Sequence, residues 1–205
     1  AASQCATTLA MKSEICASGG KITGLRVDVI ADHGAFDSTA QPTKFPAGFF
    51  HIVCGSYYLQ ASHVKVKAVY TNKAPGGVAY RCSFRITEAV YLVERMVEAL
   101  ALEMGVDPIE LRMRSFIKPE QFPYETTTGW TYDSGNYAET MRVAMDIAGY
   151  EDLRREQAEK RARGELMGIG ISFFTEGVGA GPRKHMDILG LSMNDGADLR
   201  VYPSG

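Results

Sequence analysis

Residues 86–104 read ITEAVYLVERMVEALALEM and carry the strongest helical pattern of the sequence. Apolar residues recur there at three- and four-residue spacing, which places them on one face of an α-helix. Gly105 follows directly and is expected to end the helix. We therefore predict a core helix that supports the segment before it and buries these residues: Ile86, Ala89, Val90, Val93, Val97, Leu100 and Met104.

Strand-forming segments lie upstream of this helix. Residues 11–16 and 21–32 are joined by a turn that contains two glycines, which predicts a β-hairpin. Residues 63–70 alternate apolar and polar side chains with the period of a half-buried strand. A short helix is predicted over residues 45–54, because a proline suits its first turn and a glycine follows its last.

Three further helices are predicted downstream. Asp107 can cap a helix that begins at Pro108, and Glu110 can reach back to the cap, so residues 107–115 form the first. Residues 137–148 form the second. Residues 151–164 form a third, solvated helix, because acids precede bases by four residues in three pairs: Glu151 with Arg155, Glu156 with Lys160, and Glu159 with Arg163.

The last part of the chain has the composition of β-structure. Residues 166–175 are rich in β-branched and aromatic side chains. A glycine-rich turn at residues 177–182 leads to strand candidates at residues 188–193 and 198–202. The composition shifts over residues 150–164, which predicts a boundary between two domains or subdomains.

The overall composition excludes several classes of protein. With 45% hydrophobic and 22% charged residues, the chain resembles an ordinary globular protein and is not expected to be disordered. A net charge of -2 gives no reason to expect binding to nucleic acid or to anionic lipid. No apolar run approaches the roughly 20 residues of a transmembrane helix, and the N-terminus lacks an export signal. We expect a soluble, unexported protein.

The cysteines and histidines do not form a metal-binding pattern by spacing. The four cysteines, Cys5, Cys16, Cys54 and Cys82, are far apart and include no Cys-x-x-Cys pair, so neither a disulfide scaffold nor a zinc or iron–sulfur site is expected. The four histidines are equally scattered and are expected to have no role as metal ligands.

One loop can carry unusual chemistry. It lies between the strand at residues 63–70 and the long helix, and it contains two consecutive glycines that allow a ligand to approach the backbone. Cys82 precedes the helix start, and Arg81 and Arg85 flank it, so its thiolate form is favoured. This is a candidate soft-metal or nucleophile site. By spacing alone, a buried cysteine that acts as a small apolar side chain is the more frequent case.

A resemblance to a known family favours a metal site over a buried apolar cysteine. Residues 79–85, AYRCSFR, resemble the active-site loop of the form I aerobic carbon monoxide dehydrogenases within the xanthine dehydrogenase and aldehyde oxidase superfamily. The motifs ADHGAF at 31–36, GWTYDSGNY at 129–137 and GIGISFFTE at 168–176 are similar to that family as well. The resemblance covers about residues 11–205 and implies an internal fragment of the molybdenum-binding large subunit.

The resemblance also implies a fold. It is α+β and belongs to the molybdopterin-binding domains of the superfamily. Residues 1–149 would form part of the first molybdopterin-binding domain, and residues 150–205 would begin the second.

Site roles follow from the same resemblance. Cys82 would ligate copper(I), bridged by sulfide to a molybdenum that is held by molybdopterin cytosine dinucleotide. Phe84 would form a wall of the substrate pocket. Arg81 and Ser83 would hold the loop or face the cofactor, the alternative for Arg81 being an exposed side chain without such a role. Thiolate suits Cu(I), since both are soft.

The implied reaction is the oxidation of carbon monoxide with water to carbon dioxide. Electrons would leave through 2Fe-2S clusters on a small subunit and FAD on a medium subunit, in a dimer of heterotrimers. The enzyme would lie in the cytoplasm or at the inner face of the cell membrane.

Other functions remain open from the sequence. A related molybdenum hydroxylase acting on aldehydes or purines would share the fold, but such enzymes usually lack a cysteine at the position of Cys82. A metal-free binding or assembly module of the same ancestry is a second alternative, which metal analysis of the native complex would distinguish.

Overall fold

The computed structural model describes residues 9–35, 44–73, 86–176, 197 and 199–202. Within them the chain is a mixture of helices and strands, which confirms the predicted α+β class. The elements in chain order are β1 (Leu9–Ser18), β2 (Lys21–Gly34), α1 (Lys44–Ile52), β3 (Ala61–Tyr70), α2 (Ile86–Met104), α3 (Pro108–Ser115), a 3-10 helix (Pro119–Gln121), β4 (Tyr124–Glu125), β5 (Thr131–Tyr132), α4 (Tyr137–Ala148) and α5 (Tyr150–Ala162).

The larger of the two sheets among the described residues has three strands in the order β1-β2-β3. β1 and β2 form the predicted hairpin, and both turn glycines, Gly19 and Gly20, have positive φ angles of 58° and 75°, a conformation that glycine adopts without a steric penalty. β3 pairs with β2 in parallel, and the connection between them passes through α1. A parallel pair needs such a crossover. The strand predicted at residues 63–70 is confirmed as β3, and the sheet contains one antiparallel and one parallel pairing.

The core lies between one face of this sheet and α2. β2 contributes alternate residues, including Leu25, Val27 and Val29, and each is at most 4% exposed. α2 has the predicted bounds, and Val93 on its buried face is 2% exposed. Both sets belong to one apolar cluster. The period-two and period-3.6 patterns of the sequence therefore meet in a single core.

α3 begins as its sequence predicts, with one difference. The Asp107 carboxylate accepts hydrogen bonds from the backbone N–H groups of Ile109 and Glu110, at 2.8 and 3.4 Å. Glu110 pairs with Arg114 one turn later instead of reaching back to the cap. The N-cap is confirmed, and the second half of the predicted capping box is wrong because an oppositely charged partner lies within reach on the same helix face.

α4 and α5 follow with Gly149 between them, where the backbone has a left-handed φ of 63°. Of the three ion pairs predicted on α5, Glu156 and Lys160 form theirs at 2.6 Å. Arg155 pairs with Asp152 and Arg163 with Glu165, so the other two predictions are wrong. Arg163 is the residue after the last helical one, where the geometry of four-residue spacing no longer holds.

Residues 165–176 form an extended segment, called the strap below. Alternate side chains, Ile169, Ile171 and Phe173, pack against the core. Despite its β-like composition, the strap forms no strand with the part of the chain that the structure describes, and neither do residues 199–202. The strand predicted at residues 188–193 lies outside the described residues, and the domain boundary near residue 150 stays a prediction.

Candidate functional site

The predicted site loop is bracketed by two described elements. Residues 71–73 continue from the end of β3, and α2 begins at Ile86. Arg81, Cys82, Ser83 and Phe84 lie outside the described residues, as does the glycine-rich turn at residues 177–182. The assignments made to these four side chains therefore stay predictions, and the structure defines the supports on either side of them.

The first support is a hydrogen-bonded carboxylate at the end of β2. Asp32 accepts hydrogen bonds from the Thr71 hydroxyl at 2.6 Å and from the Gly34 N–H at 2.9 Å. The Lys73 ammonium lies 3.0 Å from the same carboxylate. The hydrogen bonds from Thr71, Gly34 and Lys73 lower the pKa of Asp32 to about 2. The carboxylate is therefore ionised at neutral pH and holds the start of the loop.

Backbone contacts reinforce this support. The Thr71 N–H donates to the Gly34 carbonyl at 2.9 Å, and the Ala35 N–H donates to the Lys73 carbonyl at 3.0 Å. Asp32 and Gly34 belong to the motif at residues 31–36 that the resemblance singled out, and the structure shows what these residues do. They fix residues 71–73 beside the end of β2.

The second support is the N-terminal turn of α2. Ile86 is 8% exposed and Ala89 is fully buried, so the first turn is anchored in the core. Backbone N–H groups of a first turn lack partners within the helix and carry positive partial charge. The segment that contains Cys82 enters this turn directly. The observed helix start carries this positive charge, and Cys82 precedes it by four positions in the sequence, so an effect on the thiol stays a prediction.

A buried ion pair fixes α2 against α3. Arg112 is fully buried and Glu94 is 4% exposed, and the Arg112 Nε lies 3.0 Å from the Glu94 carboxylate. The Tyr57 hydroxyl, 1% exposed, donates to the other carboxylate oxygen. Burial and the charge of Glu94 raise the pKa of Tyr57, so this hydroxyl is a hydrogen-bond donor and not an anion.

The remaining polar groups of this pair are also satisfied. Arg112 donates to the carbonyls of Pro108 and Ile171 at 3.0 and 3.4 Å, and to the Glu98 carboxylate at 3.3 Å. Burial opposes the charge of Arg112, but the negative charge of Glu94 raises its pKa. The Phe173 N–H donates to Glu94 at 2.9 Å. The pair therefore joins α2, α3 and the strap.

Glu94 and Arg112 were not predicted from the sequence. A signal was present, because Glu94 lies four residues after Val90 and three before Val97, on the face of α2 predicted to be apolar. A charged residue at such a position needs a buried partner. The sequence alone does not show that the partner is Arg112, which lies 18 residues further along the chain.

A cavity of about 360 Å³ lies beside the second half of α2 and is lined in part by Glu98, Pro108 and Ile171, which are partners of Arg112. Arg95, Leu102, Tyr150, Arg154 and Arg161 are among its lining residues.

The described residues contain neither a cluster of metal-ligating side chains nor a membrane-spanning helix. Among them, no group of three or more His, Cys, Asp or Glu side chains is placed to hold a metal ion. None of the helices in these ranges is both long enough and apolar enough to cross a membrane.

Similarity to known proteins identifies the family. Residues 2–116 match the molybdopterin cofactor-binding domain. The chain belongs to this family. It is 56% identical over 202 residues to the carbon monoxide dehydrogenase large chain of Afipia carboxidovorans, an alignment that covers 95% of this chain and 25% of that relative. The chain thus spans about a quarter of the length of this curated relative.

Solved structures agree with the sequence comparison. The crystal structure of the Cu,Mo-CO dehydrogenase in its carbon monoxide reduced state is 57% identical, with a TM-score of 0.80 over 90% of this chain and 24% of that one. Quinoline 2-oxidoreductase from Pseudomonas putida 86 is 31% identical, with a TM-score of 0.78 over 89% of this chain and 23% of that one. The predicted resemblance to the carbon monoxide dehydrogenase large subunit is confirmed.

Proposed function

We propose that this molybdopterin-binding domain is part of the large subunit of an aerobic carbon monoxide dehydrogenase, which oxidises carbon monoxide with water to carbon dioxide. The observation that supports the proposal is the 57% identity to the Cu,Mo enzyme, against 31% to quinoline 2-oxidoreductase. The TM-scores of 0.80 and 0.78 are nearly equal. Because one fold hosts several reactions, the choice of substrate rests on the sequence of the site.

Cys82 is the proposed copper ligand. Its donor chemistry fits, since a thiolate is a soft ligand that Cu(I) prefers, and the observed start of α2 at Ile86 provides a field that favours the thiolate form. When bound, the molybdenum–copper group, with molybdopterin cytosine dinucleotide on molybdenum, supplies the oxygen transfer and the two-electron redox chemistry. This chain's task is to hold the copper and shape the space beside it.

The neighbours of Cys82 have proposed roles of their own. Phe84 forms one wall of the substrate pocket, where an aromatic face favours a small apolar gas over water. Arg81 and Ser83 hold the loop by hydrogen bonds or face the cofactor. The contacts of Asp32 with Thr71 and Lys73, together with the first turn of α2, keep the two ends of the loop in place.

The proposed assembly rests on the similarity to the carbon monoxide dehydrogenase large chain, and it accounts for the two electrons that each turnover releases. They pass to 2Fe-2S clusters on a small subunit and to FAD on a medium subunit, in a dimer of heterotrimers. We place the enzyme in the cytoplasm or at the inner face of the cell membrane.

The test is purification of the complete native enzyme, with copper and molybdenum quantified beside its oxidation of carbon monoxide, aldehydes and purines. We expect copper and molybdenum in equal amounts and turnover of carbon monoxide. Oxidation of an aldehyde or a purine without oxidation of carbon monoxide would refute the proposal in favour of a related hydroxylase. Absence of molybdenum would favour a metal-free module.

A further inference from the structure

The strap lies on the core without pairing to a strand in the described part of the chain, so no backbone ladder there sets its register. Phe173 contacts Phe116 with ring centroids 4.6 Å apart, and Ile169 and Ile171 pack beside it. Apolar contact is not directional. It opposes removal of the strap from the core more strongly than sliding along it, so directional contacts must fix the register.

Two of the directional contacts come from the buried ion pair. Glu94 accepts from the Phe173 N–H at 2.9 Å, and Arg112 donates to the Ile171 carbonyl at 3.4 Å. Two further contacts lie nearer the ends of the strap: Gln157 donates to the Met167 carbonyl at 2.9 Å, and the Ser56 and Thr175 hydroxyls are 2.6 Å apart. The ion pair therefore holds the middle of the strap.

The energetics of buried ions indicate the role of the Glu94–Arg112 pair. Removing two charges from water costs about as much as their attraction returns, and apolar residues of similar volume often stabilise a protein equally well. Glu94 and Arg112 are nevertheless hydrogen-bonded to three segments, α2, α3 and the strap. Their main effect is to place these segments relative to one another.

We infer that Glu94 and Arg112 are positioning residues for the proposed metal centre, an inference that rests on the proposed function. Glu94 lies about 12 Å along the axis from the start of α2, the helix into which the Cys82 loop leads. The strap leads into residues 177–182. A slip of one residue would displace it by about 3.3 Å and reverse its inward and outward side chains. The Glu94–Arg112 pair therefore fixes the position of the strap relative to α2, the two segments that adjoin the predicted site loop and residues 177–182 in the sequence.

The test separates placement from stability in the complete enzyme. Glu94→Met or Arg112→Met alone leaves one buried ion unpaired and should lower Tm, whereas the double variant should recover Tm. In the double variant we still expect amide exchange at Phe173, whose N–H is bonded to Glu94, to accelerate at least tenfold before copper is added. Copper per molybdenum and kcat should each fall at least tenfold, with KM less affected. Recovery of exchange protection, copper and kcat together with Tm would overturn the inference.

A second variant decides the question if the double variant does not fold. Arg112→Lys keeps a positive charge beside Glu94, but one ammonium cannot also reach the Ile171 and Pro108 carbonyls as a guanidinium does. We expect a folded enzyme with a looser strap, seen as faster amide exchange at Phe173, and several-fold less copper, whereas wild-type values for both in a folded variant would overturn the inference. Glu156→Gln, which breaks the exposed pair with Lys160, is the matched control and should change neither.

Measurements on the wild-type enzyme distinguish a failure of this inference from a failure of the proposed function. A wild type that neither holds copper nor oxidises carbon monoxide would overturn the proposed function, and the inference would fall with it. A wild type that does both, beside variants that keep their copper and kcat, would overturn the inference alone.

Discussion

The Cys82 side chain can be replaced by one of nearly the same shape but different chemistry. Serine is nearly isosteric, but its hydroxyl is hard and mostly protonated. In the complete enzyme, Cys82→Ser should leave folding and molybdenum content nearly intact and should abolish copper binding. Without copper, carbon monoxide is no longer held beside its oxygen donor, a positioning effect worth up to about 7–11 kcal/mol in favourable cases. Carbon monoxide oxidation should fall by orders of magnitude.

The measurement is copper per molybdenum together with carbon monoxide oxidation in a variant shown to be folded. Cys16→Ser is the matched control, because Cys16 is an exposed free cysteine on β1, and it should change neither value. If Cys82 is only a buried apolar side chain, its serine variant loses some stability and keeps its activity. That result would exclude Cys82 as the copper ligand.

Asp32 gives the start of the loop a dependence on pH. Its pKa is lowered to about 2 in the folded chain, against about 3.9 in an unfolded one. A lowered carboxyl pKa stabilises the folded state fully above the unfolded value, and this contribution is lost as pH falls through the folded value. The window is therefore roughly pH 4 down to pH 2. Asp32→Asn should remove this contribution.

The check is amide exchange at Thr71 and Lys73 in wild type and Asp32→Asn as pH is lowered. We expect the asparagine variant to be less protected at pH 7, by an amount that stays constant to about pH 4 and then shrinks. A difference that does not depend on pH would mean that the Asp32 charge does not hold these residues.

At the scale of elements, we expect a single charge on the buried face of α2 to destabilise the fold. Val93→Asp places a carboxylate at a site that is 2% exposed. An unpaired buried charge costs several kcal/mol, comparable to a domain's whole margin of roughly 5–15 kcal/mol. We expect the variant to unfold or aggregate. Val143→Asp on α4, at a site 45% exposed, should remain folded, and equal thermal stability of the two variants would show that Val93 is not core.

Local patterns explain why the bounds of most elements could be predicted. α2 and α4 begin and end at the predicted residues, because apolar spacing and end signals such as Gly105 lie within the segments themselves. The Glu94–Arg112 pair could not be predicted, since its partners meet only through tertiary packing. The assignment of Cys82 came from the resemblance, as spacing alone favoured an ordinary buried cysteine.

At the scale of the whole molecule, the chain spans about a quarter of its curated relatives. Several large apolar side chains are exposed, among them Leu102 at 84%, Ile147 at 83% and Leu166 at 99%. Exposed apolar surface promotes association. We expect these 205 residues, expressed alone, to aggregate readily and to oxidise no carbon monoxide above a control containing only the metals. Turnover by the isolated chain would show that one wall of the site is sufficient.

The contact between Phe173 and Glu94 also has a consequence for synthesis on the ribosome. The two residues are 79 positions apart, so at roughly 5–20 residues per second the strap emerges about 4–16 seconds after α2. Tyr57 and α2 are available from the start of that interval and α3 follows within it, but until the strap emerges Glu94 and Arg112 lack their strap partners and must be solvated by water. Closure of this part of the core therefore waits for residues 165–176, whatever the speed at which the helices form.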